Sequence, residues 1–150
     1  LKGSPPSPYY ADLVKFAGNC DRLQHYEMCI PAIALNKSIY TPEGTGGRGK
    51  AYIDKTYINI SYNFLTPLDE DNTRYFWFQH RNTDPDDKDI SAKMNDGALM
   101  AFQEDKAILE DVHLGMKNPA TPNIDLGLDA GAKRFRMLLR RKIEEEQDNS

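Results

Sequence analysis

Tyr57-Ile-Asn-Ile-Ser-Tyr-Asn-Phe-Leu65, the turn Thr66-Pro-Leu-Asp-Glu-Asp-Asn72 and the segment Arg74-Tyr-Phe-Trp-Phe-Gln-His-Arg81 decide the fold of this chain. Successive side chains on a strand point to opposite sides. Tyr57, Asn59, Ser61 and Asn63 therefore share one side, while Ile58, Ile60, Tyr62 and Phe64 share the other. The pattern predicts a strand from Ala51 to Leu65 and a second from Arg74 to Arg81, rich in aromatics that suit a pleated, largely buried surface. Trp77 and Phe78 must face opposite ways. Pro67, the aspartates and Asn72 are turn formers, so the two strands make an antiparallel hairpin.

Upstream, Arg22–Ile30 and Ala32–Ile39 read as two more extended runs separated by Pro31, with strands and their connections filling 22–82. Thr41 to Lys50 contains four glycines and a proline and reads as a loop. Residues 1–20 are expected to be linker-like: Leu1-Lys-Gly-Ser-Pro-Pro-Ser-Pro8 resembles the interior of a longer protein, and only Tyr9–Phe16 suggests a helical turn. Downstream the period changes from 2 to 3.6. Asp84-Pro-Asp-Asp87 places acidic groups at a helix start, and a long helix is expected over 86–116. Asn118-Pro-Ala-Thr-Pro122 ends it. A last helix, 129–147, is expected to be capped by Asp129, with Phe135, Leu138, Leu139 and Ile143 as its apolar stripe. The class expected is α+β: an antiparallel sheet covered on one face by the long helix and the C-terminal helix, in a helix-grip arrangement.

Hydropathy and charge narrow the function classes. Hydrophobic residues make up 39% and charged residues 28%, the balance of a packed domain rather than a disordered chain. Nineteen basic residues against 23 acidic give a net charge of −4 with no basic half, which argues against a nucleic-acid binder. No apolar run approaches the roughly 20 residues that span a bilayer. Cys20 and Cys29 are too few for a disulfide framework and read as reduced thiols of a cytoplasmic protein, with one bridge between them as the alternative.

The long helix carries the most informative position. At 100° per residue, Ile90, Met94, Gly97, Ala98, Ala101, Ile108, Leu109 and Val112 form one stripe, expected to face the core. Asp105 lies near its middle. A carboxylate there is costly unless it is paired, protonated or bound to a metal; pairing with an arginine is the commoner outcome in proteins at large.

Two other features read as structural. Gly44-Thr-Gly-Gly-Arg-Gly-Lys50 fits half of a phosphate-binding loop, but Ala51 stands where a hydroxyl must hold magnesium, and a strand follows instead of a helix. Lys133, Arg134, Arg136, Arg140, Arg141 and Lys142 form a basic helix face balanced by Glu144–Glu146, with docking of an acidic electron donor or of a neighbouring subunit as the functional alternative.

Four strings in order resemble the catalytic domain of Rieske-type non-haem iron oxygenases of the vanillate O-demethylase and dicamba monooxygenase type. They are Asn63-Phe-Leu-Thr-Pro67, Tyr75-Phe-Trp77 with Arg81-Asn82, Met100-Ala-Phe-Gln-Glu-Asp-Lys-Ala-Ile-Leu-Glu110, and Asn123 to Arg136. The likeness covers roughly residues 20–145 and implies the C-terminal part of that domain. It makes Asp105 the carboxylate ligand of a mononuclear Fe(II), in a facial triad completed by two histidines that this chain lacks as a pair. Asn63 falls where the dicamba-type enzyme faces its aromatic substrate with a histidine, and Trp77 is the candidate pocket-lining aromatic. A [2Fe–2S] Rieske cluster needs Cys-x-His and Cys-x-x-His pairs, which are absent here and are expected in a preceding part. The resemblance further implies dioxygen and a small aromatic substrate to be hydroxylated or O-demethylated. It also implies an NAD(P)H-dependent reductase or ferredoxin as electron donor and a trimeric homo-oligomer. On residues alone, a non-catalytic helix-grip module binding an apolar ligand uses the same aromatic strands and long helix, and so does a pure oligomerisation domain.

Overall fold

The computed structural model describes residues 1–47, 54–118, 120 and 124–149. Its elements are β1 (Cys20–Cys29), β2 (Ile33–Pro42), β3 (Tyr57–Pro67), β4 (Thr73–Arg81), α1 (Lys88–Met116), a 3-10 turn (Gly127–Asp129) and α2 (Ala130–Asp148). The fold is α+β, as expected. It divides into two compact units, Leu1–Asp86 and Asp87–Ser150.

In the first unit the four strands form one antiparallel sheet in the order β1-β2-β3-β4. Ser61 stands opposite Asn36 on β2 and Gln79 on β4, and Tyr62 stands opposite Leu35 and Phe78. Residues directly opposite share a face, so the alternation of β3 propagates across the sheet. One face carries Asn36, Ser38, Tyr40, Tyr57, Asn59, Ser61, Asn63, Trp77 and Gln79. The other carries Ile33, Leu35, Ile39, Ile58, Ile60, Tyr62, Phe64, Phe76 and Phe78. We call these the amide face and the aromatic face. The β3–β4 turn closes as expected: Asp69 Oδ1 accepts from the backbone of Asp71 and Asn72 at 2.9 and 2.8 Å, which holds its carboxyl below the usual carboxylate range.

The opening segment is not a free linker. The Leu1 amino group donates to the Arg22 carbonyl, and Ser4 and Cys20 exchange backbone bonds at 3.1 and 2.8 Å. β1 begins at Cys20, two residues before the expected Arg22, because its ladder with β2 runs on to Asp21–Thr41 and Cys20–Pro42. Tyr9–Phe16 forms turns, with the Leu13 and Val14 amides both donating to the Tyr10 carbonyl, and Leu13 is buried. Asp21 fastens this segment to the glycine-rich loop, accepting from the Gly3 and Gly46 amides at 2.9 and 2.6 Å. The loop turns through left-handed residues at Gly44, Gly46 and Gly47, with φ of 82°, 79° and 65°. Arg48–Lys50 and the first part of the expected third strand, Ala51–Ile53, lie outside the described residues.

In the second unit Asp87 caps α1 as expected, its side chain accepting from Asp89 and Ile90 amides at 2.9 and 3.0 Å. Asp129 behaves differently. Its carboxylate turns back to accept from the Leu126 amide at 2.7 Å, closing the 3-10 turn, and gives no side-chain cap to α2.

Candidate functional site

The amide face is an unusual surface to bury. Antiparallel sheets commonly turn their apolar face inward and their polar face to water. Here Ser38, Asn59 and Ser61 are buried together with Tyr40 and Tyr57, whereas Phe76 and Phe78 on the aromatic face are 55% and 42% exposed. The expectation that the β4 aromatics are buried is corrected for Tyr75, which is 42% exposed, and for Phe76 and Phe78. The aromatic-face rings stack along their own face, Tyr62 on Phe78 at 4.8 Å between ring centres and Phe64 on Phe78 at 5.7 Å, without being covered.

The opening segment covers one end of the amide face. Tyr10 packs on Tyr40 and Tyr57 with ring centres 4.9 and 5.6 Å apart. Ser7 and Tyr40 share a hydroxyl–hydroxyl bond of 3.1 Å, the Tyr9 hydroxyl donates to Gln79 Oε1 at 3.5 Å, and the Asn59 amide donates to the Tyr10 hydroxyl at 3.4 Å. Burial raises the Tyr57 pKa strongly, so this side chain stays a neutral phenol.

Asn63 and Trp77 stand directly opposite each other on this same face, so the structure brings the two candidate substrate residues together. Both are half-buried. Asn63, however, is engaged at both ends: its Nδ2 donates to the Ala34 carbonyl at 3.1 Å and its Oδ1 accepts from the Tyr75 hydroxyl at 2.6 Å. Further up the face the situation reverses. Among the described residues, three buried side-chain atoms have no hydrogen-bond partner, Asn36 Oδ1, Asn59 Oδ1 and the Tyr57 hydroxyl. All three residues belong to the amide face. A buried polar atom left unpaired costs about 1–3 kcal/mol, so three on one surface call for an explanation. Sequence reasoning singled out Asn63 and missed Asn36 and Asn59. The alternation placed Asn59 on the right side, but only the cross-strand register puts Asn36 beside it.

Asp105 is exposed, which corrects the expectation of a carboxylate buried in a core-facing stripe. Met94 and Ala98 are buried, with Ile90 and Gly97 half-buried; Ile108 and Leu109 are 58% and 65% exposed. Thus only the N-terminal half of the stripe is enclosed, and Asp105 lies in the open half, where hydration removes the desolvation penalty. The histidine of the same unit does not meet it. His113 is eight residues further along α1, about 12 Å of rise and roughly 80° around the axis. His25 and His80 share a row of the aromatic face through Lys37 and Ile60. Three strand spacings of about 4.8 Å put them roughly 14 Å apart. Cys20 and Cys29 are both free thiols at opposite ends of β1. Among the described residues no group of three His, Cys, Asp or Glu side chains converges for a metal. An exposed carboxylate is a suitable hard ligand for iron, yet these residues supply at most one of a triad's three and none of a Rieske cluster's set. They do not by themselves fit either group.

The basic face of α2 is largely paired within its own unit. Lys133 and Arg136 reach Asp125 at 3.7 and 2.6 Å. Arg141 and Lys142 reach Glu145 at 3.1 and 2.7 Å, and the Lys142 contact holds the Glu145 carboxyl low. That pattern is a solvated ion-pair surface, not a bare cationic patch. No helix among the described residues is long and apolar enough to cross a membrane.

Comparison with known proteins points to the same family. The family described as vanillate O-demethylase oxygenase C-terminal domain matches residues 1–145. A toluene-4-sulfonate monooxygenase system iron-sulfur subunit of Comamonas testosteroni is 29% identical over 141 residues, covering 93% of this chain and 41% of that protein. A vanillate O-demethylase oxygenase subunit of a Pseudomonas strain is 28% identical over 128 residues, covering 85% of this chain and 39% of that protein. The chain therefore spans about two fifths of the length of these relatives. No solved structure matches it at a significant level.

Proposed function

Since the chain belongs to the vanillate O-demethylase oxygenase C-terminal domain family, we propose that it is the C-terminal part of the catalytic domain of a Rieske non-haem iron oxygenase. The whole protein would use dioxygen to hydroxylate or O-demethylate a small aromatic substrate. Its electrons would come from an NAD(P)H-dependent reductase or a ferredoxin, in the cytoplasm and in a trimeric homo-oligomer. Mononuclear Fe(II) supplies the oxygen chemistry when bound, and a [2Fe–2S] cluster in another part of the protein supplies electrons.

This chain's contribution is narrower. Asp105 provides the carboxylate ligand, Trp77 lines the aromatic site, and Asn63 supports it through its bonds to Ala34 and Tyr75. The observation that carries the reading is the family match over residues 1–145 together with Asp105 in the string that resembles the family's ligand helix. The open apolar surface around Asp105, formed by Ile108, Leu109 and Val112, supports it: an exposed apolar stripe this long is a surface made to be covered. A further part of the protein carrying the histidines would enclose the carboxylate there.

The test is Asp105→Ala in the full-length protein. The variant is expected to keep the cluster's absorbance, lose the mononuclear iron on metal analysis, and lose turnover by at least about 100-fold. Unchanged mononuclear iron and turnover would refute the assignment. A full-length protein that holds no iron yet binds aromatic ligands would return the site to a non-catalytic binding module.

A further inference from the structure

We propose that Arg81 is a positioning residue for Asp105, fixing the connection through which β4 runs into the helix that carries this carboxylate. The proposal rests on the reading of Asp105 as an iron ligand for its purpose, and on the bonds around Arg81 for its place. It gives a role to the Arg81-Asn82 step, which sequence reasoning singled out only as part of a resemblance.

The stretch between strand and helix is tied at both ends. Asn82 closes the strand side. Its backbone amide donates to the Ile58 carbonyl at 3.2 Å, its Oδ1 accepts from the Ile58 amide at 2.8 Å, and its Nδ2 donates to the Thr56 carbonyl at 2.7 Å. The side chain thus extends the β3–β4 ladder beyond its last pair, Asn59–Arg81. Arg81 then folds the chain back: its Nε donates to the Thr83 carbonyl at 2.9 Å and its Nη2 to the Asp84 carbonyl at 2.7 Å. A guanidinium offers its donors in a rigid fork, and charged donors make stronger bonds than neutral ones. Asp84 is where such a hold is needed. Its φ of 43° lies in the left-handed region, the one such non-glycine among the described residues. That conformation is sparsely populated and persists where the surroundings impose it. Lys15 of the opening segment pairs with the Asp84 carboxylate. On the helix side Asp87 caps α1. Only Pro85 and Asp86 lie between these ties, and proline brings a fixed φ of its own.

The length of the helix makes this stretch matter. At 1.5 Å per residue, Asp105 stands about 27 Å along α1 from its cap. Met94 and Ala98 are buried, whereas Asp105 and residues 106–112 are exposed, so the place of the carboxylate follows from how the helix starts. A swing of about 4° at the start moves it by about 2 Å over that length. The tolerance of a metal–ligand bond is roughly 0.2 Å. A small error at the end of β4 is therefore amplified at Asp105. Arg81 acts through the helix and is not itself a ligand.

The experiment compares Arg81→Met with the parent in the full-length protein, reading Fe(II) affinity by anaerobic titration and amide exchange at Asp89 and Ile90. The variant keeps a long unbranched side chain and removes the donors. It should weaken Fe(II) binding about 10- to 100-fold, the range for groups that orient a metal ligand. Exchange of the two amides should quicken by at least about 10-fold as the start of α1 loosens, with the [2Fe–2S] absorbance unchanged. Asp84→Gly accepts a positive φ freely and loses only an exposed ion pair, so its Fe(II) affinity should stay within about 3-fold of the parent. Asp84→Val resists that φ and should behave like Arg81→Met. Fe(II) affinity untouched in Arg81→Met, whether or not exchange quickens, would overturn the proposal, and so would an Asp84→Gly that fails as badly as Asp84→Val. Should Arg81→Met not fold, the Asp84 pair carries the test. The two readings fail separately. If Asp105→Ala keeps its iron, the ligand assignment falls, while exchange at Asp89 and Ile90 still reports on Arg81. If Asp105→Ala loses iron and Arg81→Met keeps both its affinity and its slow exchange, only the role of Arg81 is refuted.

Discussion

The two faces of the sheet are made by the same four strands and have opposite fates. The aromatic face gathers isoleucines, Tyr62, Phe64, Phe76 and Phe78, yet its β4 aromatics are left largely open. The amide face gathers asparagines and serines, yet its centre is dry and sealed at one end by Tyr10. Hydrophobicity alone orders these faces the other way. A buried polar face adds little stability and costs something wherever an atom stays unpaired. What it adds is directional hydrogen bonding next to an aromatic wall, which suits a binding surface. The aromatic face is a surplus of apolar area, of the kind that other parts of a larger protein cover.

The largest effect should come from the tyrosines that anchor the sealed end. Tyr40→Ala or Tyr57→Ala in the 150-residue chain should cost about 3–5 kcal/mol in denaturant unfolding, the range for removing a buried aromatic. Tyr40 also loses its bond to Ser7. A cost below about 1 kcal/mol would mean that the amide face is not the buried one, and the contrast between faces would collapse.

A smaller effect tests by pH the tie between the opening segment and the glycine-rich loop. Hydrogen bonds from the Gly46 and then the Gly3 backbone hold the Asp21 carboxyl below its ordinary value. A depressed folded-state pKa contributes stability that is fully present above the unfolded value, about 3.9, and is lost as pH falls through the folded value. Acid should therefore loosen the tie between the opening segment and the glycine-rich loop as pH falls through the folded value of Asp21. Asp21→Asn should be less stable at neutral pH and should show a shallower decline below about pH 4. Parallel acid limbs for the variant and the parent would show that Asp21 does not fasten this end.

Much of this was legible in the sequence, and the remainder fails for identifiable reasons. The alternation from Tyr57 to Phe64 assigned every β3 side chain to its face, and the Asp69 turn and the Asp87 cap stand where the turn and helix-start signals put them. A period of two says which residues share a side. It does not say which side is covered, and the open aromatic face is the result. The proline-rich start looked like a linker because prolines disfavour regular structure, but Ser4, Ser7 and Tyr10 bond to partners far along the chain that local composition does not reveal. The periodicity of α1 predicts a uniformly inward apolar stripe, whereas only its N-terminal half is enclosed. At the candidate site, Asn63 was legible through a resemblance, while Asn36 was invisible until the β2–β3 register placed it opposite Ser61.

The smallest effect is the sharpest control. Phe76 is more than half exposed, and Phe78 stacks on Tyr62 and Phe64 without being covered. Phe76→Ser should change stability by less than about 1 kcal/mol, and Phe78→Ala by about 1 kcal/mol for its lost ring stacking. Both should reduce self-association at high concentration by trimming the apolar patch, read by light scattering. Were Phe76→Ser instead to cost as much as Tyr57→Ala, the aromatic face would have to be packed within this chain. The surplus apolar surface would vanish, and with it the physical reason for expecting another part of the protein to lie there. A near-neutral Phe76→Ser beside a severe Tyr57→Ala would establish that this chain spends its packing on its polar face.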